Sequence, residues 1–423
     1  MMNKLSKIAA FYDNNETIGW RDGLLIANVH DSLEKDYQKI RKGIALADYT
    51  YLGHFRVQGS DALQLIDKLC FSNLRDLPSG CLSPSYVLNE DGSVFCEVLI
   101  ANCGDFYRIL SEGVEPAHVH ALFDAELAAA DWQASIVDET RSQSFIGLDG
   151  PYSWELLKRL SGPGIIGIRH LELASGNQLD GILFTLYRTD KTGEYGYLLQ
   201  VDIEYVVDLW RQLLEVGRAF EIQPAGYAAL DLCKLENRFT NIHREARWAT
   251  HVLELNTRIA ASRKKEDYIG RAAVEKTLHE GIRRRLIGLV LEEDAGNEAP
   301  IECGEHLYAD GVKIGEVVNR AFSFTLNRWI ALAFLEVDYA YVGLNYRLGG
   351  QRGGYAVKTV SAPFIFNESL RIRPRQDSYF DKTDRARTEY DAGRIVPLRS
   401  ANSRHNRFPN VLADRRAYRR TVA

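Results

Sequence analysis

A carboxylate stands at position 97 in a run that is otherwise apolar, Val94-Phe95-Cys96 before it and Val98-Leu99-Ile100 after it. Burying an ionised side chain in such a strand is costly unless it is paired, so the residue either faces solvent or serves an enclosed site. A carboxylate beside a reacting nitrogen can handle the proton that moves when a weakly basic amine attacks an electrophilic carbon. Glu97 is therefore the candidate acid/base. His54 and His243 carry the side chain best suited to proton transfer at neutral pH. Neither has a partner at metal-ligand spacing, and each reads as a structural histidine. Cys70, Cys81, Cys96, Cys103, Cys233 and Cys303 are scattered, with no C-x-x-C pair and no Cys/His cluster. That pattern gives no metal site and points to reduced thiols in the cytoplasm.

Strands and turns must place Glu97. Tyr86-Val87-Leu88 and Val94 to Ala101 flank Asn89-Glu90-Asp91-Gly92, and Asp-Gly is a strong hairpin signal. A third strand is predicted over Phe106 to Leu110. Upstream, Leu33, Tyr37, Ile40 and Ile44 share one helical face over Ser32 to Ala45, with Asp31 or Ser32 as N-cap. A strand over Gly53 to Gln58 and a helix over Ala62 to Cys70 follow. Helices over Pro116 to Ala130 and Tyr152 to Leu160 alternate with strands over Ser144 to Leu148, Gly167 to Leu173 and Ile182 to Tyr187, the mixture expected of α+β layers. After Arg285 the runs are short and β-rich: Leu286 to Leu291, His306 to Ala309, Val312 to Val318, Ile330 to Leu335 and Tyr355 to Val360, as in a small barrel or sandwich. A boundary is expected near residues 270 to 284, and an arginine-rich extension from about Pro374 to the end.

The 423 residues, 46% of them hydrophobic, suffice for more than one core. A net charge of −5 gives no general attraction to nucleic acid or to an anionic membrane, and no apolar run reaches the roughly 20 residues of a membrane helix. The expected partner is a small molecule.

Several stretches in order resemble the glycine-cleavage aminomethyltransferase (T-protein) family, with its folate-dependent demethylase relatives. They are Ala47 to Gly53, Leu88 to Val94 with Glu97 just beyond, Arg188-Thr189 with Thr192 to Tyr197, Ala225 to Ala229 running to Leu235-Glu236, Tyr268 to Ala273, Arg284 to Leu289, Ile314 to Val317 and Phe322 to Leu326. The resemblance implies a three-domain cloverleaf around a central cavity, built from two ferredoxin-like, folate-binding-type α+β domains and a C-terminal all-β barrel. The first α+β domain would span 1–55 and 141–275, the inserted second one 56–140, the barrel 284–373 and the extension 374–423. It further implies one-carbon transfer from a small methylated or amino substrate, with tetrahydrofolate as acceptor and Glu97 in the place of the family's catalytic aspartate. Tyr86, Ile109, Arg188, Glu194, Tyr195, Leu198, Leu230 and Glu236 are the implied cofactor-binding positions, with Lys234 and Glu254 as further polar candidates.

At three of these matched places the sequence departs from the family. The pterin-binding glutamate is replaced by Leu198, its neighbouring arginine by Leu230, and the tyrosine of the same loop by Lys191. Losing both members of a polar pair is far cheaper than losing one. The double change implies a more apolar cavity, and with it the alternative of a folate-independent enzyme on the same fold, acting on a different small substrate. The matching stretch Glu236 to Asn241 lacks the cysteine of the family's iron–sulfur assembly relatives.

Overall fold

The computed structural model describes residues 5–12, 18–257, 259, 265–292, 301–349 and 354–381, all within one compact unit. Two mixed layers and a barrel make up this body. The first sheet has six strands in the order Leu173–Leu179, Ile182–Tyr187, Gly196–Asp202, Gln143–Asp149, Ala45–Asp48 and Gln223–Pro224. The second has five, ordered Leu82–Leu88, Val94–Asn102, Tyr107–Glu112, Gly53–Gly59 and Ala134–Asp138. The chain thus leaves the first sheet after Asp48, builds the whole second sheet, and returns at Gln143.

Each sheet buries one face against helices. Phe55, Val57, Val98, Ile100 and Ile109 meet Leu65, Ile66, Val119 and Phe123 of the helices Ala62–Leu69 and Pro116–Ala129. Strand alternation then turns the partners of these residues the other way. Glu97, Leu99 and Ala101, with Glu112, Leu110 and Arg108 opposite them, face the first sheet. Edge strands of the two sheets are stitched where Leu82 N donates to Leu171 O and Leu173 N to Gly80 O, at 2.8 and 2.9 Å.

Between the layers runs the helix Tyr227–Asn237, started at Gly226 and ended by Arg238 in the left-handed region. It is buried on nearly every side, the mark of a central helix. The closed barrel runs Arg284–Leu291, Arg328–Glu336, Val312–Ser323, His306–Ala309, Asn345–Leu348 and Tyr355–Val360. Its strands are apolar on both faces: Ile287, Leu289, Ala333 and Leu335 fill the interior, while Leu286, Val290, Leu332 and Phe334 pack on Leu235, Ile242 and Leu255. This explains the unbroken hydrophobic run from Ile330 to Leu335.

The helix expected from Ser32 is Leu33–Lys42, capped by Ser32 Oγ on Lys35 N. Differences lie elsewhere. Gly167 to Leu173 is no strand: Pro163–Gly167 is a 3-10 turn and the strand begins at Leu173, because Pro163 and three glycines favour a turn. The third strand of the second sheet reaches Glu112, two residues past the expected end. A helix, Arg271–Glu280, occupies the expected boundary, and Asn345–Leu348 adds an unforeseen barrel strand. Residues 382–423 of the arginine-rich extension lie outside the described residues. Its start packs on the first layer: Ser378 Oγ and Tyr379 N donate to Glu155, both at 2.6 Å, and Tyr379 and Phe380 pack against Phe220.

Candidate active site

Tyr86, Glu97 and Glu112 lie opposite one another across three strands of the second sheet. Two acidic neighbours directly opposed would repel. Here lysines from other elements separate and neutralise them. Lys191 Nζ lies 2.9 Å from Glu97 Oε2 and 2.6 Å from Glu112 Oε2, while Lys234 Nζ lies 3.1 Å from Glu112 Oε1. Tyr227, two turns before Lys234 on the central helix, donates to Glu112 Oε1 at 2.5 Å, and Tyr51 donates to the same oxygen at 3.3 Å. The Arg21 guanidinium covers the Tyr227 ring at 3.4 Å.

Lys191 reaches the carboxylates from the loop between Tyr187 and Gly196. Asp190 Oδ1 ties this loop by accepting from Gly193 N at 2.6 Å and Thr192 N at 3.2 Å. Gly193 is required: its φ is +80°, and a Cβ there would meet Asn237 Oδ1 and Asn367 Nδ2 at 2.4 Å.

The two carboxylates differ electrostatically. Burial pushes Glu97 up, Lys191 pulls it back and Glu112 pushes it up again, leaving it above the ordinary carboxylate range. Glu112 is also opposed by burial, but Lys191 and Lys234 together hold it well below that range. Lys191 is raised: burial disfavours its charge, and Glu112 and Glu97 more than offset this. Nearby, burial drives His243 down to about 3, and its Nε2 lies 3.6 Å from Asp22 and 3.7 Å from Glu112. Burial also lifts Asp22 to about 7. The assembly joins a carboxylate held ionised at Glu112, a shared ammonium at Lys191, and a second carboxylate, Glu97, that is easier to protonate than Glu112. Glu97 Oε2 has no well-aligned hydrogen-bond donor in spite of the close ammonium.

Leu198 and Leu230 fall into one apolar cluster with Tyr49, Tyr51, Leu82, Leu110 and Tyr187, edged by half-buried Leu99, Leu171, Leu173 and Cys103. Tyr86 is buried beside Glu97, with its hydroxyl 3.5 Å from Thr257 Oγ1.

Other expected residues lie away from this group. Ile109 points to the opposite, helix-backed face, because it is out of phase with Glu112 on its strand. Glu236 accepts from Tyr37 at 2.8 Å, Ser323 at 2.6 Å and Arg41 at 2.7 Å; Glu194 accepts from Arg41 and from Ser369 N and Oγ. Tyr195 donates to Ile372 O at 3.3 Å, and Arg188 donates to Ile168 O and lies over the Tyr195 ring. Glu254 pairs with Arg284 at 3.0 Å. These side chains are spent on holding elements together. Sequence reasoning missed Glu112; its signal was its parity with Leu110 and Arg108 on a strand taken as two residues shorter. Among the described residues no group of His, Cys, Asp and Glu could hold a metal, and no helix is long and apolar enough to cross a membrane.

Two strand layers, a six-stranded barrel and a lysine-bridged carboxylate pair define a T-protein-like enzyme, a one-carbon transferase or demethylase. The chain belongs to the glycine cleavage T-protein family: residues 6–265 match the GCVT N-terminal domain, and residues 284–365 match the glycine cleavage T-protein C-terminal barrel domain. It is 25% identical over 337 residues to an aminomethyltransferase of Halothermothrix orenii, covering 79% of this chain and 92% of that one. Mitochondrial dimethylglycine dehydrogenase of Mus musculus is 25% identical over 375 residues, which are 87% of this chain and 42% of the mouse protein. In structure, the chain is similar to the glycine cleavage system aminomethyltransferase T from Bartonella henselae, with a TM-score of 0.69 at 18% identity, covering 82% and 94% of the two chains.

Proposed function

We propose that this enzyme moves a one-carbon group from a small methylated or amino substrate to tetrahydrofolate, with Glu97 handling the proton. The observation that carries the reading is the buried Glu97, raised by burial and linked through Lys191 to the strongly acidic Glu112. Tetrahydrofolate, when bound, supplies the nucleophilic nitrogen that accepts the carbon. The residues present offer such a ring system apolar contacts and a carboxylate: Tyr49, Leu198 and Leu230 belong to one cluster, with Leu99 at its edge two residues along the strand from Glu97. Glu97 takes or returns a proton at its carboxylate oxygen. Lys191 keeps that oxygen oriented, and Glu112, fixed by Lys234, Tyr227 and Tyr51, holds Lys191 charged. Low local polarity strengthens each of these interactions.

A second reading is favoured by Leu198 and Leu230 sharing one apolar cluster. Here the enzyme does not use folate and takes another small substrate in the same place. Calorimetry with tetrahydrofolate separates the two. The first reading expects binding by the native protein and folate-dependent turnover of N-methyl, S-methyl or O-methyl compounds. No affinity up to millimolar concentration, regained by Leu198→Glu combined with Leu230→Arg, would establish the second.

A further inference from the structure

On the same sheet face as Glu97 and Glu112, two arginines meet head-on. Arg56 of the Gly53–Gly59 strand is directly opposite Arg108 of the Tyr107–Glu112 strand. Both guanidinia rest on one ring, that of Phe106, with Cζ atoms 4.1 and 5.4 Å from its centroid. Like charges opposed in this way destabilise a sheet unless something neutralises them. Glu139 does so only in part, pairing with Arg108 at 3.1 Å. Among the described residues no carboxylate pairs with Arg56. The Nε atoms of both arginines are buried without a hydrogen-bond partner. Unpaired buried donors are rare and call for an explanation.

Position supplies one. Arg108 precedes Glu112 by four residues on one strand and faces the same way, so the two ends lie about 14 Å apart at ~3.4 Å per residue. Between them are Leu110 and half-buried Leu99, with Leu198 in the same apolar cluster. Cys103, half-buried at the arginine end, feels both guanidinia, as well as Glu139. Tyr187, of the first sheet, is hydrogen-bonded to Arg108, and His54, fully buried, is kept neutral by burial. The lane therefore has a proton-handling end, an apolar middle and a cationic end.

We propose that Arg56 and Arg108 hold the anionic terminus of the ligand, a carboxylate or phosphate, about 14 Å from the reacting end at Glu97. This rests on the reading that the face between the sheets is the ligand site. It goes beyond that reading by giving the ligand an extended shape and a charge at its far end.

The test is titration of the full chain, followed by ¹⁵N NMR of the arginine Nε–H groups, with glutarate in one series and inorganic phosphate in another. One of the anions is expected to move both the Arg56 and Arg108 resonances with a single affinity, and Arg56→Gln to weaken it at least tenfold. Which anion does so identifies the terminus. If neither moves both resonances, the proposal fails. Arg56→Gln removes a repelled charge, so its melting temperature should match or exceed that of the native chain; a clear drop would mark the arginine as structural and overturn the assignment. Calorimetry with tetrahydrofolate and with the tail-less 6-methyltetrahydropterin keeps the two readings apart. Arg56→Gln should lose affinity for the first at least tenfold and leave the second unchanged. A native chain that binds neither defeats the folate reading alone, and the glutarate and phosphate series still decides the anion site.

Discussion

Two buried clusters in this protein use the same ingredients to opposite ends. Around Arg41, the carboxylates of Glu194 and Glu236 meet the guanidinium together with Tyr37, Ser323, Asn367 and Ser369, and nearly every lone pair has a donor. Around Lys191, Glu97 and Glu112 share one ammonium, the lysine side chain remains 26% exposed, and one Glu97 oxygen lacks an aligned donor. Saturation makes the first cluster a fastening. Incomplete saturation beside an apolar cluster is what the proposed proton transfer at Glu97 requires of the second. The resemblance placed Glu97 at the reaction and Glu194 and Glu236 at the cofactor; the hydrogen-bond geometry puts them in two separate clusters.

The contrast can be broken most decisively at Arg41. Arg41→Ala strands two buried carboxylates, and denaturant unfolding should show a loss of about 3–5 kcal/mol; a loss below 1 would mean the cluster fastens nothing. Glu97→Gln should do the reverse, lowering folate-dependent turnover by about 10²–10⁴-fold while the melting temperature hardly moves. Retained turnover in this variant would remove Glu97 from the mechanism. A sharper probe is Lys191→Met. Without the ammonium the proton on Glu97 is harder to remove, so the acidic limb of the pH–rate profile should move to higher pH, with turnover at neutral pH down by roughly tenfold. An unmoved limb would show that the lysine does not govern Glu97.

At neutral pH the smallest effect is expected at His54, which stacks on Phe145 at 4.6 Å and is held by burial at about 3. Its folded pKa is below its unfolded value, so the unfolded chain takes up a proton that the folded chain refuses. Stability is therefore full above about 6.5 and falls as pH drops toward 3, by up to about 1.4 kcal/mol per pH unit. His54→Phe keeps the stack and should flatten this fall in denaturation curves taken at several pH values. An unchanged slope would assign the acid sensitivity to other groups.

Much of the layout was legible in the residues. Period-two alternation and Asp-Gly gave the Glu97 hairpin, Ser32 announced its helix, and the apolar barrel runs marked their strands, since each signal is local. The paired replacements Leu198 and Leu230 both belong to one apolar cluster. What stayed hidden depended on distant contacts. Lys191 bridges to Glu112 across 79 positions, and Arg41 reaches Asn367 across 326; no window of sequence contains either pair. Ile109 was misplaced for a simpler reason, since one step along a strand turns a side chain to the other face.

Asn367 and Ser369 add bonds to Arg41 and Glu194 beyond those that these two make with each other and that Arg41 makes with Glu236, and Tyr379 donates back to Glu221 at 2.8 Å. The first layer's buried charges are therefore completed by residues that come after the whole barrel in the chain. A chain truncated after Val360 would keep every barrel strand yet lack these partners, and its first layer should be cut faster by protease than that of the full chain.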